Sequence, residues 1–247
     1  MKYITSRANA AVRRALALHN KKGRDKNGAF LIEGSILISE AAKAGLEIEQ
    51  VFVRGGMAGR DIPGGAAVIA LPENIFDEIA DTVTPQGVMA VAKKSDAEDA
   101  EDIIGSASSV LVLDRLQDPG NVGTLVRTAF AAGMGAVACV RGTADVYSLK
   151  VVRAAAGALF RIPIVEFADA AHAATALSRA GFSLKALDMS GGKSYSNADL
   201  SGRVAIAVGN EGGGLSEGFL AAADEVVSIP MADGAESLNA AVAAGIV

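Results

Sequence analysis

From Ser109 onward this chain repeats a pattern that leaves few folds open. Short, nearly unbroken apolar runs recur at 109–114, 136–140, 162–165, 183–187, 204–208 and 225–229. Helical segments at 121–132, 148–158, 170–180 and 216–223 separate several of them. A strand that is apolar on both faces belongs inside a parallel sheet covered on both sides. Parallel neighbours need crossover connections, and these are right-handed by default. The expectation is an α/β domain with a mostly parallel sheet. Apolar residues make up 51% of the chain but aromatics only 4%, with no tryptophan. Such a core is built from Val, Ile, Leu and Ala, with backbones that approach closely.

The first ninety or so residues read as a separate, smaller α/β module. Helical periodicity runs over 6–19, with Ala11, Ala15 and Leu18 on one side. Phe30–Glu33, 50–53, 67–71 and 88–92 read as strands. Ser35 is placed to cap a helix over 36–44, and another helix is expected over 73–80. The polar, acidic stretch 93–108 reads as a connection. The domains expected are therefore 1–95, a linker over 96–108, and 109–247.

Several function classes drop out early. No apolar stretch approaches the roughly 18 residues that span a bilayer, and the basic N-terminus is not followed by the apolar segment of a signal peptide. The expected location is the cytoplasm. The single cysteine, Cys139, has no partner for an internal disulfide and reads as a small core residue. Two histidines do not make a zinc site, so no metal is expected.

The net charge of −5 is unevenly spread. Residues 1–26 hold Lys2, Arg7, Arg13, Arg14, Lys21, Lys22, Arg24 and Lys26 against Asp25 alone, a net +7. Residues 115–161 carry +4 through Arg115, Arg127, Arg141, Lys150, Arg153 and Arg161, against Asp118 and Asp145. Two basic patches on an otherwise acidic body suit a polyanionic partner. The candidate phosphate contacts are Arg7, Arg13, Arg14, Lys21, Lys22, Arg24, Lys150 and Arg153. Tyr147, His172 and Tyr195 lie outside any motif and read as packing or surface residues.

In an open α/β sheet, ligands bind beyond the carboxyl ends of the strands. Three loops there are rich in Gly, Asn, Pro and acids. The first is 114–127, in which Asn121 is suited to open a helix and Gly123 leaves room against its first turn. Arg127, one turn on, has a guanidinium able to hold a phosphate with two hydrogen bonds. The second is Val208–Ser216, in which Asn210 and Glu211 precede three glycines. It is not the Gly-x-Gly-x-x-Gly dinucleotide turn, and its acid suits a ribose hydroxyl or a cationic group. The third runs from Ile229 through Met231 to Ser237, Leu238 and Asn239, with Ser237 or Asp233 placed to start the last helix.

Asn121-x-Gly-x-x-x-Arg127, Gly209-Asn-Glu-Gly and Ile229-Pro-Met with Glu236-Ser-Leu-Asn239 together resemble the three motifs of the SpoU/TrmH RNA 2′-O-ribose methyltransferases. Phe30-Leu-Ile-Glu-Gly34 and Gln86-Gly-Val-Met-Ala90 are similar to phrases of that family's N-terminal substrate-binding domain. The resemblance implies a C-terminal α/β domain closed by a trefoil knot, S-adenosylmethionine as cofactor, and a homodimer. It implies cofactor binding by Leu187, Gly209, Asn210, Ile229, Met231 and Leu238, and a catalytic set of Asn121, Arg127, Glu211, Ser237 and Asn239. RNA is then gripped by the N-terminal domain, ribosomal RNA ahead of transfer RNA. A guanidinium keeps its proton at ordinary pH, so Arg127 is expected to fix a phosphate and stabilise developing charge rather than act as a base. In the family the last helix continues further than the eight residues that follow Asn239 here. A non-catalytic RNA-binding factor is the competing reading, and retention of Asn121, Arg127, Glu211 and Asn239 speaks against it. An oxidoreductase is disfavoured by the missing dinucleotide turn.

Overall fold

The computed structural model describes residues 1–55, 66–80, 82–95, 99–189, 191–234 and 236–247. Two compact units form: residues 1–96 with 145–160, and residues 97–144 with 161–247.

The first unit opens with β1 (Lys2–Tyr3) and two short helices, α1 (Ala10–Ala17), inside the expected 6–19, and α2 (Lys21–Asn27), which follows it unexpected. Their limits have local causes. Asn9 and Asn20 each cap a helix, their side chains accepting from Ala11 N and Gly23 N, and Gly28 ends α2 in the left-handed region at φ 58°. Then follow β2 (Ala29–Glu33), α3 (Ser35–Lys43), β3 (Ile48–Arg54), β4 (Ala67–Leu71), α4 (Glu73–Ala80) and β5 (Val88–Lys93). Ser35 lies inside α3 rather than capping it, because Gly34 takes the cap position. The sheet order is β1-β4-β3-β5-β2, mixed in direction. Every residue of β2 is buried.

The first unit also explains two sequence phrases. Glu33, at the end of β2, is buried, and its Oε1 accepts from Gln86 N at 3.1 Å and Thr82 Oγ1 at 3.2 Å. Gly34 follows at φ 97°, where a Cβ would stand 2.3 Å from Gln86 Oε1. The Glu-Gly and Gln-Gly pairs are thus two sides of one contact.

The second unit starts where a linker is expected. Asp99 caps α5 (Ala100–Ser106), which buries Ile104. Next come β6 (Ser109–Asp114), α6 (Pro119–Ala131) and β7 (Ala136–Val140). Residues 145–160, expected within the second domain, pack with the first unit instead and carry α7 (Leu149–Ala154). Two charge pairs fasten the segment. The Arg24 guanidinium donates to Asp145 Oδ2 from Nε at 2.9 Å and Nη2 at 2.6 Å, and Arg153 Nη1 donates to Glu33 Oε2 at 2.9 Å. Tyr147 packs on Phe30, ring centroids 5.0 Å apart. The chain then returns through β8 (Ile164–Phe167), α8 (Ala170–Arg179), β9 (Ser183–Leu187), β10 (Lys193–Ser194), β11 (Val204–Gly209), α9 (Glu217–Ala222), β12 (Glu225–Ser228) and α10 (Ala240–Ile246).

Every pairing in the second sheet is parallel, in the order β10-β12-β9-β11-β6-β7-β8. One face packs Val110, Val112, Ala138, Leu184, Ala205 and Ala207 against Ile104, Ala173, Leu177 and Phe219. The alternate positions Leu111, Leu113 and Val137 are buried as well, as is Cys139. α6 buries Val122, Leu125, Val126 and Ala129 and packs beside α10. Successive strands step from β6 to β8, and the chain then crosses to β9 and returns to fill the gap with β11. That reversal places the ends of β6 and β11 side by side, Asp114 opposite Gly209, and makes a crevice of the kind in which α/β sheets bind ligands.

At the other edge Lys185, buried on β9, donates to Glu225 Oε2 at 3.0 Å, and Lys193 lies 3.2 Å from Glu225 Oε1. Hydrogen bonds from these two ammonium groups hold the Glu225 carboxyl below its ordinary range. A depressed folded pKa contributes stability above the unfolded value, about 4.3, and loses it as pH falls through the folded value. Glu225→Gln is therefore expected to melt below wild type at neutral pH, with the gap closing in acid, as thermal melts across that range will test.

Candidate active site

The site is assembled from the loops that leave the carboxyl ends of β6, β9, β11 and β12. Asp114 ends β6 fully buried, and its Oδ2 accepts from Ser216 N at 2.6 Å, which ties the loop after β11 to the strand beside it. Helix α6 is opened by Asp118, whose Oδ1 accepts from Asn121 N at 2.8 Å, with Pro119 in the first turn. Asn121 is thus not the cap residue; it sits one turn in, where its amide faces other loops.

That amide is used at both ends. Asn121 Nδ2 donates to Glu211 Oε1 at 2.8 Å, and Asn121 Oδ1 accepts from Asn239 Nδ2 at 2.9 Å. Asn239 Oδ1 in turn caps α10, accepting from Ala241 N at 3.0 Å and Val242 N at 3.2 Å. The last helix therefore starts at Asn239 and not at Ser237 or Asp233. Asn210 closes the middle loop: its Oδ1 accepts from Gly212 N and Gly213 N, and its Nδ2 donates to Arg115 O at 2.9 Å. The backbones of Asn210 and Gly214 exchange two hydrogen bonds across the turn. A Cβ on Gly209 would lie 2.2 Å from Gly214 C and Leu215 N, so only glycine permits this return.

Together these loops enclose a cavity of about 650 Å³, within the range of small-molecule sites. Leu187, Gly209, Asn210, Ile229, Met231 and Leu238, expected to hold a cofactor, all line it. So do Glu211, Ser237 and Asn239 of the expected catalytic set. Asn121 joins them through its two hydrogen bonds. Arg127 does not line the cavity; it stands exposed on α6, its side chain without a partner among the described residues. The charged lining residues are Asp188 and Glu211, both acids. Apolar walls with two carboxylates fit a small molecule that carries both apolar surface and positive charge. Sequence reasoning missed Asp114 and Asp188, although each is an acid that ends an apolar run at a strand's carboxyl end.

The basic residues of the first unit divide by their partners. Arg7 pairs with Glu78 at 2.9 Å, Arg14 with Glu49 at 2.5 Å, and Arg153 with Glu33. Arg24 is only 4% exposed, so its charge goes to Asp145 and the Leu18 carbonyl, not to the surface. Arg13, Lys21, Lys22 and Lys150 are exposed. Among the described residues no group of three His, Cys, Asp or Glu could hold a metal, and no helix is long and apolar enough to cross a membrane.

A parallel α/β sheet with an acid-lined cavity at its loop ends suits the binding of a small cationic molecule, and residues 108–247 match the SpoU rRNA Methylase family. The chain belongs to that family: it is an S-adenosylmethionine-dependent RNA ribose-2′-O-methyltransferase. Residues 9–90 match the MRM3-like substrate binding domain. The chain is 36% identical over 247 residues to the 23S rRNA (guanosine(2553)-2′-O)-methyltransferase RlmP of Bacillus subtilis, covering 100% of this chain and 97% of that one. An AdoMet-bound rRNA methyltransferase from Sinorhizobium meliloti is similar with a TM-score of 0.87 and 32% identity, covering 99% of this chain and 95% of that chain. The SpoU methyltransferase AviRb from Streptomyces viridochromogenes, in complex with AdoMet, gives 0.86 and 30%, covering 96% and 95%.

Replacing the central amide tests the assembly. Asn121→Asp keeps the acceptor for Asn239 but sets a second carboxylate against Glu211. Like charges at this range disfavour joint ionisation. The variant is expected to bind S-adenosylmethionine at least about tenfold more weakly at mildly alkaline pH, and to recover affinity in mild acid. Calorimetric titration at the two pH values measures this, and equal affinity at both contradicts the relay.

Proposed function

We propose that the substrate is large-subunit ribosomal RNA and that the three-loop amide relay is the seat of catalysis. The observation that carries this reading is the convergence of Asn121, Glu211 and Asn239 on one wall of the cavity. The names of the full-length relative and of the Sinorhizobium neighbour, both rRNA methyltransferases, support ribosomal RNA over transfer RNA. The domain roles follow, with the first unit gripping RNA and the second, which begins within the expected linker, carrying the chemistry. A bacterial relative and the absence of a spanning helix among the described residues support a cytoplasmic location.

When bound, S-adenosylmethionine supplies a methyl group on a positively charged sulfur. Leu187, Ile229, Met231 and Leu238 give the apolar walls that hold it, and Gly209 and Asn210 give the backbone edge. Asp188 and Glu211 offset its positive charge. The cavity needs no elaborate acid–base apparatus, because a ribose 2′-hydroxyl aligned in line with a methyl group gains most from orientation. Glu211, with one oxygen held by Asn121, would take the proton that the hydroxyl loses on its other oxygen, and Asn239 and Ser237 would confine the ribose. Arg127 fixes an adjacent phosphate and stabilises the developing alkoxide.

The same reading includes a homodimer. Phe130, Val242 and Ile246 stand exposed on the packed pair α6 and α10, and exposed apolar groups of this size mark association surfaces. Sedimentation is expected to show a dimer for wild type and a monomer for Val242→Glu.

The test is methyl transfer to in-vitro-transcribed 23S rRNA and to a pool of transfer RNA transcripts. Transfer is expected to the ribosomal RNA alone, and Arg127→Ala is expected to lower it by about 100-fold with cofactor affinity unchanged. Transfer to the transfer RNA pool alone contradicts the substrate reading, and unchanged activity in Arg127→Ala contradicts that residue's role.

A further inference from the structure

Arg115 follows the last residue of β6 in a backbone conformation that its side chain disfavours. Its φ is 60°, and apart from Ala156 it is the only non-glycine residue with positive φ among those described. Glycine adopts this region freely, whereas a residue with a Cβ is held there only when its surroundings enforce it. They do so here at both ends of the residue. Arg115 N donates to Thr143 Oγ1 at 3.1 Å, and Arg115 O accepts from Asn210 Nδ2 at 2.9 Å. Thr143 is itself anchored, its hydroxyl donating to Leu113 O at 2.9 Å. Room for the side chain comes from Gly142, at φ 103°, where a Cβ would stand 3.2 Å from Arg115 Cγ.

The guanidinium is aimed as well. Arg115 Nε donates to Asp114 Oδ1 at 3.2 Å, and Asp114 is fully buried with its other oxygen on Ser216 N. This bond tethers the Nε side of the fork, and the side chain is still 45% exposed. Both terminal nitrogens are without partners among the described residues. Asn210, which holds the Arg115 carbonyl, also lines the cofactor cavity. A second exposed arginine, Arg141, directly follows the end of the neighbouring strand β7.

From this geometry we infer that Arg115 is an RNA-contacting residue at the rim of the site, its fork holding a backbone phosphate of the substrate strand, with Arg141 extending the same contact. A fixed guanidinium with two unpaired nitrogens matches the bidentate geometry of a phosphate. A residue serving only to neutralise Asp114 would need neither the strained backbone nor the exposed fork. The inference rests on the RNA methyltransferase reading and adds to it a contact that none of the three sequence motifs contains.

Arg115→Gly separates the two roles, because glycine relieves the backbone while removing the fork. The variant is expected to fold and to bind S-adenosylmethionine within about twofold of wild type, while melting somewhat lower because the buried Asp114 loses its cationic partner. Its KM for in-vitro-transcribed 23S rRNA is expected to rise about tenfold with kcat little changed. The slope of log affinity against log salt is expected to flatten by about 0.7 to 0.9, the loss of one phosphate contact. Arg115→Lys is expected to keep the salt slope and recover part of the affinity. An unchanged KM and slope in Arg115→Gly overturns the inference, as does weaker cofactor binding, since that marks a structural role at the cavity. Filter binding is run in parallel on a transfer RNA transcript. A wild type that leaves ribosomal RNA unmethylated then counts against the substrate reading, while the slope difference still decides the role of Arg115.

Discussion

The side-chain amide of Asn121 donates to Glu211 and accepts from Asn239, residues 90 and 118 positions further along the chain. Each such bond is worth only about 1 kcal/mol where water competes, so the pair does not hold the domain together. What the bonds fix is direction. They orient the Glu211 carboxylate and the Asn239 amide on the cavity wall, and through Asn239 they join the start of α10 to the loop after β6. The parallel sheet makes this possible, because the late insertion of β11 next to β6 brings loops that are distant in sequence to one edge. The cavity depends on both, on the strand order for its position and on the relay for its shape.

Fastening by buried charge runs through the rest of the molecule. Asp114 holds the Ser216 backbone, Glu33 holds Gln86 N and Arg153, and Arg24 holds Asp145. In each case one partner is buried and the other arrives from a distant segment. Removing one member of such a pair leaves a charge stranded away from water, which is costly. Two of the three pairs tie residues 145–160 to the first unit, so a segment that follows the second strand of one sheet is stabilised beside the other.

Much of this architecture was legible from the residues. Strands 67–71, 109–114, 136–140 and 183–187 fall where their apolar runs predict, since a strand buried on both faces leaves an unbroken hydrophobic signature. The cavity residues were legible through the motif resemblance and the chemistry of their loops. The helix caps were not. Asp118 and Asn121 are both good cap residues three positions apart, and which one caps is set by what the other bonds to across the fold. Arg24 read as a surface cation because its partner lies 121 residues away. The left-handed conformation of Arg115 left no trace in local sequence, since Thr143 and Asn210 impose it.

On the proposed function, the cavity at the sheet's carboxyl edge presents a methyl group to a ribose hydroxyl. Mass spectrometry of nucleosides released from 23S rRNA after incubation with the protein and S-adenosylmethionine tests it most directly. One new methyl group carried on the ribose is expected, released as a 2′-O-methyl nucleoside, with the RNA linkage 3′ to it resistant to alkaline cleavage. A methyl group carried on a base, with the ribose unmodified, would contradict it.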